Sequence, residues 1–116
     1  MPVLNSPYFV TSKYGTSCAL DENGVVCWGD NSSGQTDVPA LSNPREVALS
    51  YYNTCALDNT GIVCWGDDSE PVSANIPETV NPSKLTMGDS HACVMDNDRV
   101  VCWGNGFSPS NSSSPT

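Results

Sequence analysis

One stretch is written three times in this chain, and nothing else in the sequence narrows the possible folds as much. Ser17–Asp30 reads SCALDENGVVCWGD, Thr54–Asp67 reads TCALDNTGIVCWGD, and Ala92–Asn105 reads ACVMDNDRVVCWGN. Cys18, Cys55 and Cys93 open the copies, Cys27, Cys64 and Cys102 close them, and Trp-Gly follows each closing cysteine. The opening cysteines lie 37 and then 38 residues apart. A period of that size implies a stack of like units, each burying its faces against its neighbours, in place of one irregular core.

Each copy has the form of a hairpin. In the first, a small and apolar run precedes Asp21-Glu22-Asn23-Gly24, and Val-Val-Cys-Trp follows it. β-prone runs around an Asn-Gly turn signal a β-hairpin. The four turn residues suit a type I turn closed by Gly24 at positive φ with a bulge, and Gly61 holds the same place in the second copy. The third copy has Arg99 there, so its turn is expected to be strained or differently built. A turn centred on Glu22-Asn23 sets Leu20 opposite Val25 and Cys18 opposite Cys27. The same count pairs Cys55 with Cys64 and Cys93 with Cys102. Opposed residues of an antiparallel pair lie ~4.5–5.5 Å apart at Cα, within disulfide reach. Three intra-hairpin disulfides are therefore expected. Each closes a loop of about ten residues and contributes roughly 2–3 kcal/mol.

Side chains alternate along a strand. Cys18, Leu20, Val25 and Cys27 share one face of the hairpin, and Ala19, Val26 and Trp28 share the other. Both faces are apolar, so each hairpin must lie between neighbours. Trp28, Trp65 and Trp103 are expected in the core between blades.

The repeat extends beyond the hairpin. Pro2–Pro7, Pro39–Pro44 and Pro77–Pro82 align as crossovers, each followed by a short strand around Phe9–Ser12, Glu46–Leu49 or Lys84–Met87. Alternation of Val47 with Leu49 and of Leu85 with Met87 fits strands with one packed face. No helix signal is present. The expected architecture is all-β, with three propeller-type blades of about three short antiparallel strands and one disulfide each. The units run 2–38, 39–76 and 77–115 within a single repeat domain, and the Ser-rich stretch 106–116 is expected to be a flexible tail.

Charge narrows the partners. Thirteen acidic residues oppose four basic ones, a formal charge of −9, and Lys13, Arg45, Lys84 and Arg99 are scattered. Nucleic-acid binding needs clustered cations, so none is expected. Anionic membranes are disfavoured on the same ground, and no apolar run approaches a membrane span. Paired cysteines with few lysines point to an extracellular or cell-surface setting. Met1–Leu4 begins no signal peptide, so a secreted chain of this kind has lost its leader or is a piece of something larger.

These residues carry a resemblance. Cys-Ala-Leu-Asp, a glycine turn, and Val-Cys-Trp-Gly-Asp-Asn-Ser-Ser-Gly-Gln (Cys18–Gln35) resemble the repeat of the regulator of chromosome condensation family. The likeness is strongest to its short, cysteine-bearing bacterial version in secreted and surface proteins. It implies a β-propeller with one blade per unit, used for protein–protein contact in a bacterial or viral extracellular setting. Relatives include a secreted propeller that inhibits β-lactamases and a nuclear one that promotes nucleotide exchange on a small GTPase. The chain departs from the family where units two and three lack Gly-Gln, and where the position two before the first cysteine, commonly histidine, is Thr16, Asn53 and His91. Related propellers close with about seven blades, and three cannot close. Apolar faces left at the ends of the stack would drive association into a homo-oligomer or filament, or be covered by the rest of a larger propeller.

Other chemistries are weaker on these residues. His91 and Cys93 could share a strand face as a thiolate–imidazole dyad, but a cysteine tied to Cys102 cannot serve. Zinc needs four convergent ligands, and calcium six or more oxygens, which the turns at Asp21, Asp58 and Asp96 do not supply. The tryptophans could form a sugar platform, but their place inside strands favours core. Asn31-Ser32-Ser33 and Asn111-Ser112-Ser113 fit the N-glycosylation pattern, which matters only in a eukaryotic secretory route. The sequence reading is a non-enzymatic extracellular scaffold for protein contact or self-assembly, with neither cofactor nor metal. A specific protein inhibitor of an enzyme is the alternative. Binding is expected on the loops Lys13–Thr16, Asp30–Val38 and Asp67–Asn75, at Tyr14, Asn31, Ser32, Gln35, Asp68 and Glu70.

Overall fold

A computed structural model of the 116-residue chain describes residue 4 and residues 6–67, 76–88 and 91–104. Nine strands occupy them: β1 (Phe9–Lys13), β2 (Thr16–Asp21), β3 (Gly24–Gly29), β4 (Glu46–Leu49), β5 (Asn53–Asp58), β6 (Gly61–Gly66), β7 (Pro82–Met87), β8 (His91–Asp96) and β9 (Arg99–Gly104). They form three separate antiparallel sheets in the orders β1-β2-β3, β4-β5-β6 and β7-β8-β9. One unit of sequence is thus one three-stranded blade, as the repeat requires. The expected tail, 106–116, lies outside the described residues.

The hairpin register follows the turn count. Cys18 faces Cys27, Cys55 faces Cys64 and Cys93 faces Cys102. All three pairs are disulfides, with Cα atoms 4.0 Å apart. That separation is close to the narrow, non-hydrogen-bonded site of an antiparallel ladder. Gly24 and Gly61 take φ of 121° and 118° at the turn ends. The third turn is built differently: its left-handed residue is Asn97, at φ 60°, and Arg99 is spared. Asparagine tolerates that conformation where arginine would not.

Trp-Gly ends each hairpin for a steric reason. Gly29, Gly66 and Gly104 take φ of 105°, 114° and 109°. A Cβ on Gly66 would stand 2.4 Å from the Tyr52 carbonyl oxygen, and one on Gly29 the same distance from that of Gly15. Strand exit and loop therefore meet backbone to backbone.

Two apolar layers lie between the three sheets. Cys18 and Leu20 of the first sheet join Val47, Leu49, Ala56 and Trp65 of the second, with Val25 and Cys27 packed alongside. Ala48, Cys55 and Leu57 of the second join Leu85, Met87, Ala92, Val94, Val101 and Trp103 of the third. Each tryptophan-bearing face thus meets the disulfide-bearing face of the preceding sheet. Polar ties reinforce the stack. Glu46 accepts from the Lys84 and Leu85 N–H groups at 3.0 and 2.8 Å, where β7 departs from regular register between Ser83 and Thr86. Arg45 donates to the Asp58 and Pro82 carbonyls, and Lys13 Nζ to the Met87 carbonyl at 2.7 Å.

The carboxylates in the turns are structural. Asp21 accepts from Asn23 N–H, and Asp96 from the Val80 and Asn81 N–H groups. Asp58 is buried and accepts from Ser42 N–H, Thr60 N–H and the Thr60 hydroxyl, clamping its crossover to its own turn. Burial pushes the Asp58 carboxyl up, but hydrogen bonds from Ser42, Thr60 and Gly61 outweigh it and hold the group below its ordinary value. Stability from a depressed carboxylate is present above its unfolded-chain pKa and is lost as pH falls through the folded one. Urea midpoints of the wild type should therefore fall as pH is lowered below about 4. Asp58→Asn should be less stable near neutrality by about 1 kcal/mol and should fall less over the acid interval. Parallel acid curves for the two proteins would contradict this assignment.

Candidate functional site

Two surfaces stand out: the uncovered face of the first sheet, and the loop end where strands one and two of each unit join.

The first sheet has no preceding neighbour among the described residues. Trp65 and Trp103 are 7% and 0% exposed, each buried between sheets. Trp28, expected in the same kind of core, is only partly covered, because the face it occupies is the outer one. With Leu4, Tyr8, Phe9, Val10 and Ala19 it lines an open apolar cleft of about 580 Å³. Tyr8, Phe9 and Val10 are exposed. The opposite end of the stack repeats the situation with the other kind of face. Cys93, Cys102 and Met95, whose counterparts in the middle sheet are packed in the second layer, are only half-buried, and Val100 is exposed. One end thus presents a tryptophan face and the other a disulfide face, the two surfaces that meet inside the stack.

At the loop end, Tyr14 and Gly15 form the two-residue tip of the β1–β2 hairpin, at φ 54° and 84°. Both central residues at positive φ mark a type I′ hairpin turn. The next unit places Tyr51 and Tyr52 between β4 and β5, and the rings stack. Tyr14 and Tyr51 centroids are 4.6 Å apart with planes 4° from parallel, and Tyr51 and Tyr52 are 4.9 Å apart at 17°. All three rings are exposed. Lys13 Nζ lies 5.9 Å from the Tyr14 centroid. The aspartates that follow Trp-Gly anchor here, with Asp30 N–H donating to the Gly15 carbonyl and Asp67 N–H to that of Tyr52. Thr16 and Asn53, two residues before the first cysteines, brace the same junction by donating to the Asp30 and Asp67 carbonyls. In the first two units the position that is His91 in the third is therefore a loop brace.

The expected binding residues divide. Asn31 and Ser32 are exposed, but Asn31 is engaged within its own loop: Oδ1 accepts from Thr36 N–H and Nδ2 donates to Asp37. Gln35 is corrected by its burial, at 2% exposure. Its side chain accepts from Ser33 N–H, and its carbonyl takes the Thr54 hydroxyl and the Trp65 indole N–H at 2.9 and 2.8 Å. Gln35 thus supports the next unit's tryptophan. Asp68 and Glu70 lie outside the described residues. Tyr14 is joined by Tyr51 and Tyr52, which sequence reasoning passed over. A signal was available: Tyr14 and Tyr51 both stand four residues before the first cysteine of their unit.

All six cysteines are bonded, so Cys93 offers no thiolate to His91. Among the described residues no group of His, Cys, Asp or Glu could hold a metal ion, and no helix is long and apolar enough to cross a membrane.

Residues 9–35 match the family described as the Regulator of chromosome condensation (RCC1) repeat, which bears out the repeat type read from the sequence. No curated protein matches the chain. Among solved structures it is similar to the ectodomain of the receptor kinase CR4 from Physcomitrella patens, with TM-score 0.71 and 24% identity over 89% of this chain and 32% of that one. It is similar to Prp20p from Saccharomyces cerevisiae, with TM-score 0.70 and 15% identity over 84% of this chain and 30% of the other. The ectodomain of the Arabidopsis thaliana receptor kinase ACR4 gives TM-score 0.66 and 22% identity over 94% of this chain and 46% of its own. At these identities the likeness is one of fold. The chain spans about a third of the length of the first two structures.

The difference between covered and uncovered tryptophans is measurable. Trp65→Ala should cost about 3–5 kcal/mol in urea unfolding, the range for emptying a packed aromatic site. Trp28→Ala should cost about 1 kcal/mol or less in the isolated chain. Equal losses would contradict the placement of Trp28 on an outer face.

Proposed function

We propose that the chain is a non-enzymatic scaffold for protein–protein contact in an oxidising, extracellular setting, whose stack continues head to tail onto further blades of its own kind. The observation that carries this reading is the mismatch between Trp28 and its two counterparts. The same side chain, in the same register, is buried where a disulfide-bearing face covers it and left at an open cleft where none does.

The complementary cover is the disulfide face at the opposite end, with Cys93, Met95, Val100 and Cys102. A tryptophan face meeting a disulfide face on another copy is a heterologous contact, which propagates or closes into a ring according to its rotation. Further units of a longer polypeptide would bring the same two faces together. Three disulfides suit an oxidising compartment. Prp20p, whose structure was described together with its binding to Gsp1p and histones, supports protein contact as a use of this fold.

Sedimentation of residues 1–116 should show concentration-dependent association. Trp28→Arg should weaken it at least about tenfold, as expected when an aromatic anchor worth about 2 kcal/mol is lost. A species that stays monomeric at the highest soluble concentration would overturn head-to-tail assembly.

A further inference from the structure

We propose that the stacked tyrosines Tyr14, Tyr51 and Tyr52, with Asp30 and Asp67 at their foot, form a docking site for a basic, Arg- or Lys-bearing segment of a partner protein. This rests on the protein-contact reading above and adds to it a site and a partner chemistry. The site lies at the loop end, on surfaces other than the two that would join blades.

Three exposed rings in one stack form a contact surface ordered before any partner arrives. Tyrosine has few rotatable bonds, and stacking fixes them, so binding would cost little further side-chain entropy. Tyr51 stacks against both Tyr14 and Tyr52 yet remains 48% exposed. Interface hot spots are enriched in such residues, which combine a large apolar body with a polar tip.

The backbone adds a separate observation. Tyr14 holds φ 54° at the tip of a type I′ turn, where Asn, Asp or Gly fits without strain. A bulky side chain is costly there, and with the ring still 39% exposed, stacking on Tyr51 covers it only in part. Strained exposed aromatics of this kind point to function outside the folded chain itself.

Charge selects the partner. The chain carries −9, and the aspartates after Trp-Gly are pinned by their own N–H groups to the loops that bear the tyrosines. The nearby cation, Lys13, already donates to the Met87 carbonyl. Asp30 Oδ1 accepts from Ser32 N–H and keeps its negative charge, so the field at this end favours a positive segment, whose side-chain stems can lie along the rings.

A fluorescent peptide of alternating arginine and glycine, titrated with the full chain and followed by anisotropy, tests the site. The wild type should bind it, with affinity falling as salt rises. The double variant Tyr14→Asn/Tyr51→Ser should bind at least about tenfold more weakly. Asparagine suits the left-handed tip, so an unchanged or raised Tm would show that the fold is intact. Trp28→Arg should bind the peptide as the wild type does even where self-association is lost, which separates failure of this site from failure of the blade-joining faces. No binding, equal affinity for the double variant, equal binding of the matching glutamate–glycine peptide, or preference for cellohexaose would each overturn the proposal.

Discussion

A tryptophan face laid on a disulfide face is the contact on which the rest of this molecule depends. A three-stranded sheet of four- to six-residue strands has little interior of its own, and here both sides of each hairpin are apolar. The sheets become stable by covering one another, so the fold is a sequence of interfaces more than a set of domains. The disulfide contributes twice. It limits the freedom of the unfolded hairpin, and it supplies a compact, water-free surface for the next unit's indole. Gln35 shows how closely the loop serves that contact. Its carbonyl takes both the Trp65 indole N–H and the Thr54 hydroxyl, so the loop leaving one blade satisfies the polar groups of the next.

Much of this was legible in the residues. Period, hairpin register and disulfide pairing all follow from counting outward from Glu22-Asn23, because a two-residue turn leaves one way to pair the strands that flank it. Alternation likewise assigned Cys18 and Leu20 to one face and Ala19 and Trp28 to the other. The arginine at the third turn announced an irregularity, which the fold resolves by placing Asn97 in the left-handed conformation. What periodicity could not convey is which units have neighbours. Trp28 and Trp65 are identical in local sequence, and only the order of stacking separates an outer face from an inner one.

The loops were harder, for a physical reason. A polar residue in a loop can point outward or cap the neighbouring blade, and composition does not distinguish the two. Gln35 turned inward because its carbonyl accepts from Thr54 and Trp65 and its side-chain amide donates to the Tyr51 carbonyl, partners in the next unit that lie far along the chain. Tyr14 was visible as a loop residue, but its partners are one unit away, and stacking emerges only when equivalent positions are superposed. Asp58 belongs to the same class: an acidic turn residue whose pKa is lowered by Ser42 of a crossover more than a dozen residues upstream, together with Thr60 and Gly61 of its own turn.

The direction of stacking is tested most directly by proton cross-relaxation at the Trp65 indole. Its ring protons should show cross-peaks to side chains of the first sheet, among Cys18, Leu20, Val25 and Cys27, and those of Trp103 to Cys55, Leu57, Ile62 or Cys64. Cross-peaks from Trp65 to the third sheet, or none from either indole to a neighbouring sheet, would contradict a stack in which each tryptophan is seated on the disulfide face before it.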